Sequence, residues 1–327
     1  MRSNVVVRLT GVFICFCLCV QATFVDGKEP TWSCQQTDQH LTIRCGDSDV
    51  LRYNIVAPSA PSDKLRHYER SGYIHPIYTP QGRMLTGDFA ADHPHQHGLF
   101  VAWTNTTHNG KNVDFWNQHK GKGVVLHDRV LSVGEQGFSV AVKHYSKNKQ
   151  GQTTAILDDV WGVKASLDKD RYVIDFSIAQ TNVSTVPLII NEYHYGGIGF
   201  RGSNDWYSDE SAKALQAFVA GKRDERPSLS TTLHRFLTSE GKHRGDGNHT
   251  RPNWTMLYGQ IDGDIIGVKL SGTENNFRHP HPTRLHPTKP YFSISPCVAG
   301  AFTIDPGQTY RATYRIEVFD GEVDEIR

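Results

Sequence analysis

Apolar and polar residues alternate with a period of two along much of this chain, the mark of strands that bury one face. Residues 138–145, Phe-Ser-Val-Ala-Val-Lys-His-Tyr, show it clearly, and 309–318 repeat it near the other end. Residues 50–56 and 72–78 are rich in β-branched and aromatic side chains and stop where Pro58 and Pro80 open loops. Residues 156–166 and 171–180 read as a meander turning at Leu167-Asp168-Lys169-Asp170, with residues 147–151 as the hairpin turn before it. A further hairpin is predicted within 257–270, around Asp262-Gly263-Asp264. Residues 186–190 are apolar throughout, which predicts a strand buried on both faces. Helical composition is confined to 208–220, where Asp209 and Glu210 suit a helix start. The polar interval 221–253, rich in Gly, Arg and His, predicts a long loop over one edge. No repeat or linker interrupts the pattern. The expected fold class is all-β: one large antiparallel β-sandwich with very little helix.

The first residues follow another logic. Arg2 and Arg8 flank a polar start, residues 9–20 are almost wholly apolar, and Val20-Gln21-Ala22 supplies small residues for signal peptidase. Residues 1–22 are expected to be a cleaved signal peptide and 23–327 a single exported domain, periplasmic or extracellular. The apolar run is too short for an ordinary spanning helix and no later one is longer, so stable membrane insertion is not expected. Six cysteines reduce to Cys34, Cys45 and Cys297 beyond that segment. In an oxidising compartment Cys34 and Cys45 are expected to pair, with Cys297 a buried thiol. Formal net charge is +1, from 35 basic and 34 acidic residues dispersed along the chain, which gives no footprint for nucleic acid.

The candidate chemistry centres on Asp92-His93-Pro94-His95-Gln96-His97-Gly98, the densest point among seventeen histidines. Pro94 argues against helix, and in an extended segment His93, His95 and His97 would share one face. Three readings fit: a metal site completed by a carboxylate, a metal-free acid/base site, or a polar corner satisfied by backbone groups. Asp114 and Trp116 suit a sugar, the carboxylate bonding hydroxyls while the indole stacks on the ring's CH face. Glu192 and His194 follow an apolar strand as a candidate acid/base couple, with Tyr193 and Tyr195 on the other face and Arg201 just beyond. The loop 274–282 offers Asn275, Arg278 and His279 to a polar ligand, held by Pro280 and Pro282. No Gly-rich phosphate loop, nucleophile elbow or Ser-centred triad motif is present.

Four segments together carry a family likeness: residues 71–80 with Gly82, residues 92–98, Asp114-Phe115-Trp116, and the loop 275–282 with Pro306-Gly307. In these the chain resembles the secreted bacterial proteins of the PmoA family, labelled "methane oxygenase PmoA". Many of those read His-His-Arg-Gly where this chain has Gln96-His97-Gly98, so His97 stands where they carry Arg. The methane label itself belongs to a multi-span helical subunit and does not suit a chain without a spanning segment. The resemblance implies the galactose-mutarotase-like supersandwich, a fold of epimerases, polysaccharide lyases and sugar-binding domains.

The expected function is an exported carbohydrate-active protein performing mutarotation, epimerisation, elimination or hydrolysis on a sugar or sugar derivative. His95 and His97 would act as acid and base with Glu192 or His194. His75, Asp114, Trp116, Arg201, Asn275, Arg278 and His279 would bind the substrate, all in one cleft. No cofactor is required in that reading. The alternatives are a non-catalytic carbohydrate-binding protein and an enzyme using a divalent metal such as zinc on His93, His95 and His97.

Overall fold

Twenty strands run from Trp32 to Asp320 in the computed structural model, which describes residues 30–90, 93–206, 213, 214, 217, 221, 222 and 234–323. The expected signal segment and most of the expected helix over 208–220 lie outside the described residues.

Numbered in chain order, the first sheet runs β1 (Trp32–Gln36), β2 (His40–Cys45), β3 (Ser48–Asn54), β4 (Tyr73–Ile77), β5 (Leu99–Ala102), β13 (Gly197–Arg201), β18 (Tyr291–Ile294) and β17 (Thr283–Leu285). The second runs β14 (His234–Thr238), β15 (Trp254–Ile261), β16 (Asp264–Gly272), β20 (Thr309–Asp320), β11 (Arg171–Asn182), β10 (Thr153–Asp168), β9 (Gly137–Lys147) and β8 (Gly123–Gly134). A smaller sheet runs β19 (Phe302–Ile304), β12 (Leu188–Ile190), β6 (Thr106–His108) and β7 (Lys111–Val113). Every pairing is antiparallel, as the alternating patterns predict.

The two large sheets share one core. Tyr53 of β3 meets Phe138 and Trp161 of the second sheet at centroid distances of 5.5 and 6.0 Å, and Phe236 of β14 meets Phe292 of β18 at 6.3 Å. In β20 the inward set is Tyr310, Ala312, Tyr314, Ile316 and Val318, every second residue. The hairpin β15–β16 turns on Asp262 and Gly263, both at positive φ (52° and 88°), the conformation of a two-residue turn that matches strand twist. A polar network crosses this core. Asp159 Oδ2 accepts from Gln180 Nε2 (2.8 Å), Trp161 Nε1 (2.9 Å) and His144 Nε2 (3.2 Å), while Trp103 Nε1 donates to Gln180 Oε1 (2.7 Å).

Three local expectations are corrected. The apolar run 186–190 forms only the short β12, whose Leu188 and Ile190 face inward while Ile189 is exposed, because the small sheet covers one side of the core only. The supposed loop 221–253 contains β14, which pairs with β15 at the edge of the second sheet. Cys34 and Cys45 do not pair. They are free thiols, Cys34 opposite Ile43 and Cys45 opposite Trp32, so they stand two residues out of register. Such a diagonal puts Cα atoms about 7–8 Å apart, beyond the roughly 6.8 Å that a disulfide spans.

Candidate functional site

The outer face of the first sheet sets the site. Phe100, Gly199, Ser293 and Arg284 are cross-strand neighbours on β5, β13, β18 and β17, and they point away from the core row of Leu99, Phe200, Phe292 and Leu285. A loop from Asp114 to Lys120 lies across this face. Its indole, Trp116, sits over Gly199, where an added Cβ would come within 2.7 Å of the ring. Only a glycine admits so close an approach.

The Trp116 loop is held from within. Asp114 Oδ1 accepts from the backbone N–H of Trp116 (3.1 Å) and Asn117 (2.9 Å), and its Oδ2 accepts from Asn117 Nδ2 (2.9 Å) and Lys120 Nζ (3.4 Å). The carboxylate is spent on its own turn, which corrects the expectation that Asp114 bonds a sugar. Trp116 is fully buried among Phe100 (4.6 Å), Tyr195 (5.2 Å) and Tyr291 (6.0 Å), so it offers no open ring face for stacking. The half-buried Tyr195 covers it, and burial pushes that phenol up to about 12.

The His-rich segment is a turn, not a strand. The His93 N–H bonds Ala90 O and the Gln96 N–H bonds His93 O, both at 3.0 Å, and His97 points away from His93 and His95. His93 and His95 stay half-buried, their rings 5.5 Å apart. Around them stand His119 (5.0 Å from His95), Tyr68 (5.2 Å from His119, 6.5 Å from His95) and His286 (5.2 Å from His93). Four imidazoles and a phenol therefore form one partly exposed array.

His97 turns the other way. It is fully buried between Tyr73 and Phe89, each ring 5.0 Å away. Its Nδ1 donates to Asp88 Oδ1 at 2.5 Å, and Tyr73 O–H donates to Asp88 Oδ2 at 2.7 Å. Burial alone would raise the Asp88 carboxyl, yet the charge and hydrogen bond of His97, with His75 and Tyr73, hold it below the usual carboxylate range. His75 bonds Thr86 Oγ1 through Nδ1 (2.9 Å), and burial lowers its pKa. Arg201 is fully buried and reaches Gln96 Oε1 (3.3 Å). His97 and Arg201 are thus corrected from surface groups to interior ones. The metal set of His93, His95 and His97 is corrected with them. Among the described residues no three His, Cys, Asp or Glu side chains are grouped so as to hold a metal ion.

Glu192 and His194 lie in the exposed loop before β13. From His93 a path of ring contacts reaches His194 through His286, Tyr291 (6.2 Å), Trp116 (6.0 Å) and Tyr195 (5.2 Å), ending at 4.7 Å. The two groups expected in one cleft are thus linked through four intervening rings, of which Tyr291 and Trp116 are buried. Arg284 joins the far end, donating to Asn248 Oδ1 at 3.0 Å, while desolvation first and the Arg284 charge second lower the pKa of His194. The loop 275–279 is used differently. Arg278 donates to the carbonyls of Pro296 (3.0 Å), Gly300 (2.5 Å) and Ala301 (3.0 Å), a clamp rather than a ligand contact. Asn275 is exposed, and the His279 ring lies 6.4 Å from His281, a neighbour in that same loop region.

A family model described as "Family of unknown function (DUF6807)" matches residues 40–327. The chain belongs to that family. No curated protein matches the sequence. Among solved structures, this DUF6807 chain is similar to a protein named Polysaccharide Lyase BACCELL_00875, at 11% identity and a TM-score of 0.34, over 91% of this chain and 33% of that one. The chain thus spans about a third of the length of that protein. It is also similar to the Slr1438 protein from Synechocystis sp. PCC 6803, at 12% identity and a TM-score of 0.32, over 90% and 99% of the two chains. Scores this low carry no inference about chemistry, and the family match, not the PmoA resemblance, is what the comparisons support.

Sequence reasoning missed several members of the DUF6807 ring array. His119 lies three residues after Trp116, Tyr68 closes the 3-10 turn Asp63–Tyr68, and His286 follows β17. The signal available was the high histidine content and the His119 that trails the Asp-Phe-Trp segment. Neither says that these rings meet.

Proposed function

We propose that the histidine array around Tyr68, with the partly exposed rings Tyr193 and Tyr195, is a carbohydrate site at which imidazoles move protons on a sugar, and that the protein acts outside the cytoplasm. The observation that carries the reading is the array of His93, His95, His119 and His286 with Tyr68, partly open to solvent and in mutual ring contact. An imidazole ordinarily titrates near pH 6.5, so neighbouring histidines supply a proton acceptor and a proton donor at the same pH. His95 and His119, 5.0 Å apart, are the acid/base pair of the proposal. Tyr193 and Tyr195 are half-buried rings against which a sugar's CH face can rest, and Arg284 stands beside them to meet a hydroxyl or carboxylate. Mutarotation, epimerisation, elimination and hydrolysis all begin with such a transfer.

The test is turnover on a panel of neutral and acidic oligosaccharides, read by reducing ends, new unsaturation and anomeric change. His95→Gln and His119→Gln are each expected to lower kcat/KM by about 100-fold or more, the size of a general acid/base contribution, with the melting temperature nearly unchanged. Binding without turnover would reduce the proposal to a lectin-like surface. Full turnover in both variants would remove the array from the chemistry.

A further inference from the structure

A second polar site lies away from the ring surface. A cavity of about 700 Å³ opens where the β6–β7 and β9–β10 hairpin tips meet, and Lys111, Lys122, Lys147 and Lys149 stand in its wall with no carboxylate among the lining residues. Four other lysines are paired: Lys120 with Asp114, Lys143 with Asp158, Lys242 with Glu240 and Lys269 with Glu317. Among the described residues none of the four cavity lysines forms an ion pair; the Lys122 ammonium donates instead to Asn112 Oδ1 at 2.9 Å.

The tip that carries two of them is ordered from within. Asn148 Oδ1 accepts from the N–H of Gln150 (3.0 Å) and Gln152 (2.9 Å), and its Nδ2 donates to Gln152 Oε1 (2.8 Å). Lys147 N–H bonds Lys122 O at 2.9 Å, which ties the tip to the start of β8. In a chain of net charge +1, four uncompensated ammonium groups around one cavity repel each other, and an anion relieves that repulsion. Apart from His108 and Val113, the rest of the lining is amide and hydroxyl, suited to sugar hydroxyls. It holds no tryptophan, tyrosine or phenylalanine for a base to stack on and no arginine for a bidentate phosphate grip.

We propose that this cavity binds an acidic saccharide, whose carboxylate or sulfate groups meet the four lysines and whose hydroxyls meet the amides. The anionic character rests on the cavity alone; the choice of a saccharide rests on the carbohydrate reading of the ring surface.

Calorimetric titration of the full chain decides it, with an oligogalacturonate, a heparin-derived oligosaccharide, a neutral oligosaccharide of equal length and a short DNA duplex as probes. Expected is binding of at least one of the two acidic saccharides, weakened by salt and about tenfold or more weaker in Lys122→Gln/Lys147→Gln, a loss of about 1.4 kcal/mol. The two acidic probes distinguish carboxylate from sulfate. Both lysines are on the surface, and an unchanged circular dichroism spectrum in the double variant confirms its fold. No binding of either acidic saccharide, equal binding in the double variant, or equal affinity for the duplex each overturns the proposal. Turnover is read on the same preparations, so that failure of the ring-surface chemistry (salt-sensitive binding of an acidic probe without turnover) and failure of this cavity (no binding that depends on Lys122 and Lys147) read out separately.

Discussion

His95 and His97 stand two positions apart in sequence and do opposite work. His97 is sealed against Asp88, so His97→Ala leaves a largely buried carboxylate short of its partner and opens a void. The expected cost is about 2–4 kcal/mol, read from urea unfolding; a loss under about 0.5 kcal/mol would mean the pair does not hold the fold. Protonation supplies a second test. Burial, with the Arg244 charge next, pushes His234 down to about 3, and burial first, with His279 adding to it, pushes His281 down to about 4. The unfolded chain titrates these groups near 6.5, so between the folded and unfolded values it binds more protons than the native state. Stability therefore falls as pH drops from about 6.5 toward 4. Asp88 is shifted in the same direction at lower pH: its depressed carboxyl contributes stability above the unfolded value of about 3.9, lost as pH falls through the lower folded value. A melting series from neutral to acid should show the histidine phase first, and His281→Gln should flatten it. A melting temperature constant across that window contradicts the assignment.

At the scale of elements, the long alternating strands were legible and the short ones were not. β9, β10, β11 and β20 each exceed ten residues and bury one face, so period two stands out in the sequence. β14 has only five residues, His-Arg-Phe-Leu-Thr, inside a polar interval, and it exists because Phe236 reaches across to Phe292. Phe236→Ala is expected to cost about 3–5 kcal/mol by chemical denaturation; a much smaller loss would leave β14 a passive edge. The His-rich segment failed for a related reason. Alternation predicts an extended segment, but Pro94 lies in a hydrogen-bonded turn, which keeps His93 and His95 together and turns His97 into the core. The loop 275–279 looked like a ligand loop because Asn, Arg and His are ligand-type residues; Arg278 instead holds the carbonyls of the segment 296–301.

For the whole molecule, the all-β architecture follows from local pattern, whereas the site is a product of topology. Tyr68, His95, His119 and His286 are far apart in sequence: Tyr68, His95 and His286 flank β4, β5 and β17 of the first sheet, and the segment between β7 and β8 brings His119 to them. The same holds for the lysine cavity, where a charge balance that is even along the chain becomes uneven in space. Side-chain imidazole NMR during oligosaccharide titration tests the central claim most directly, because it reads every histidine at once. The account predicts that the resonances of His93, His95, His119 and His286 move together and saturably, while the buried His97 and His144 stay fixed. Saturable binding that leaves all four ring-array histidines unmoved would contradict it.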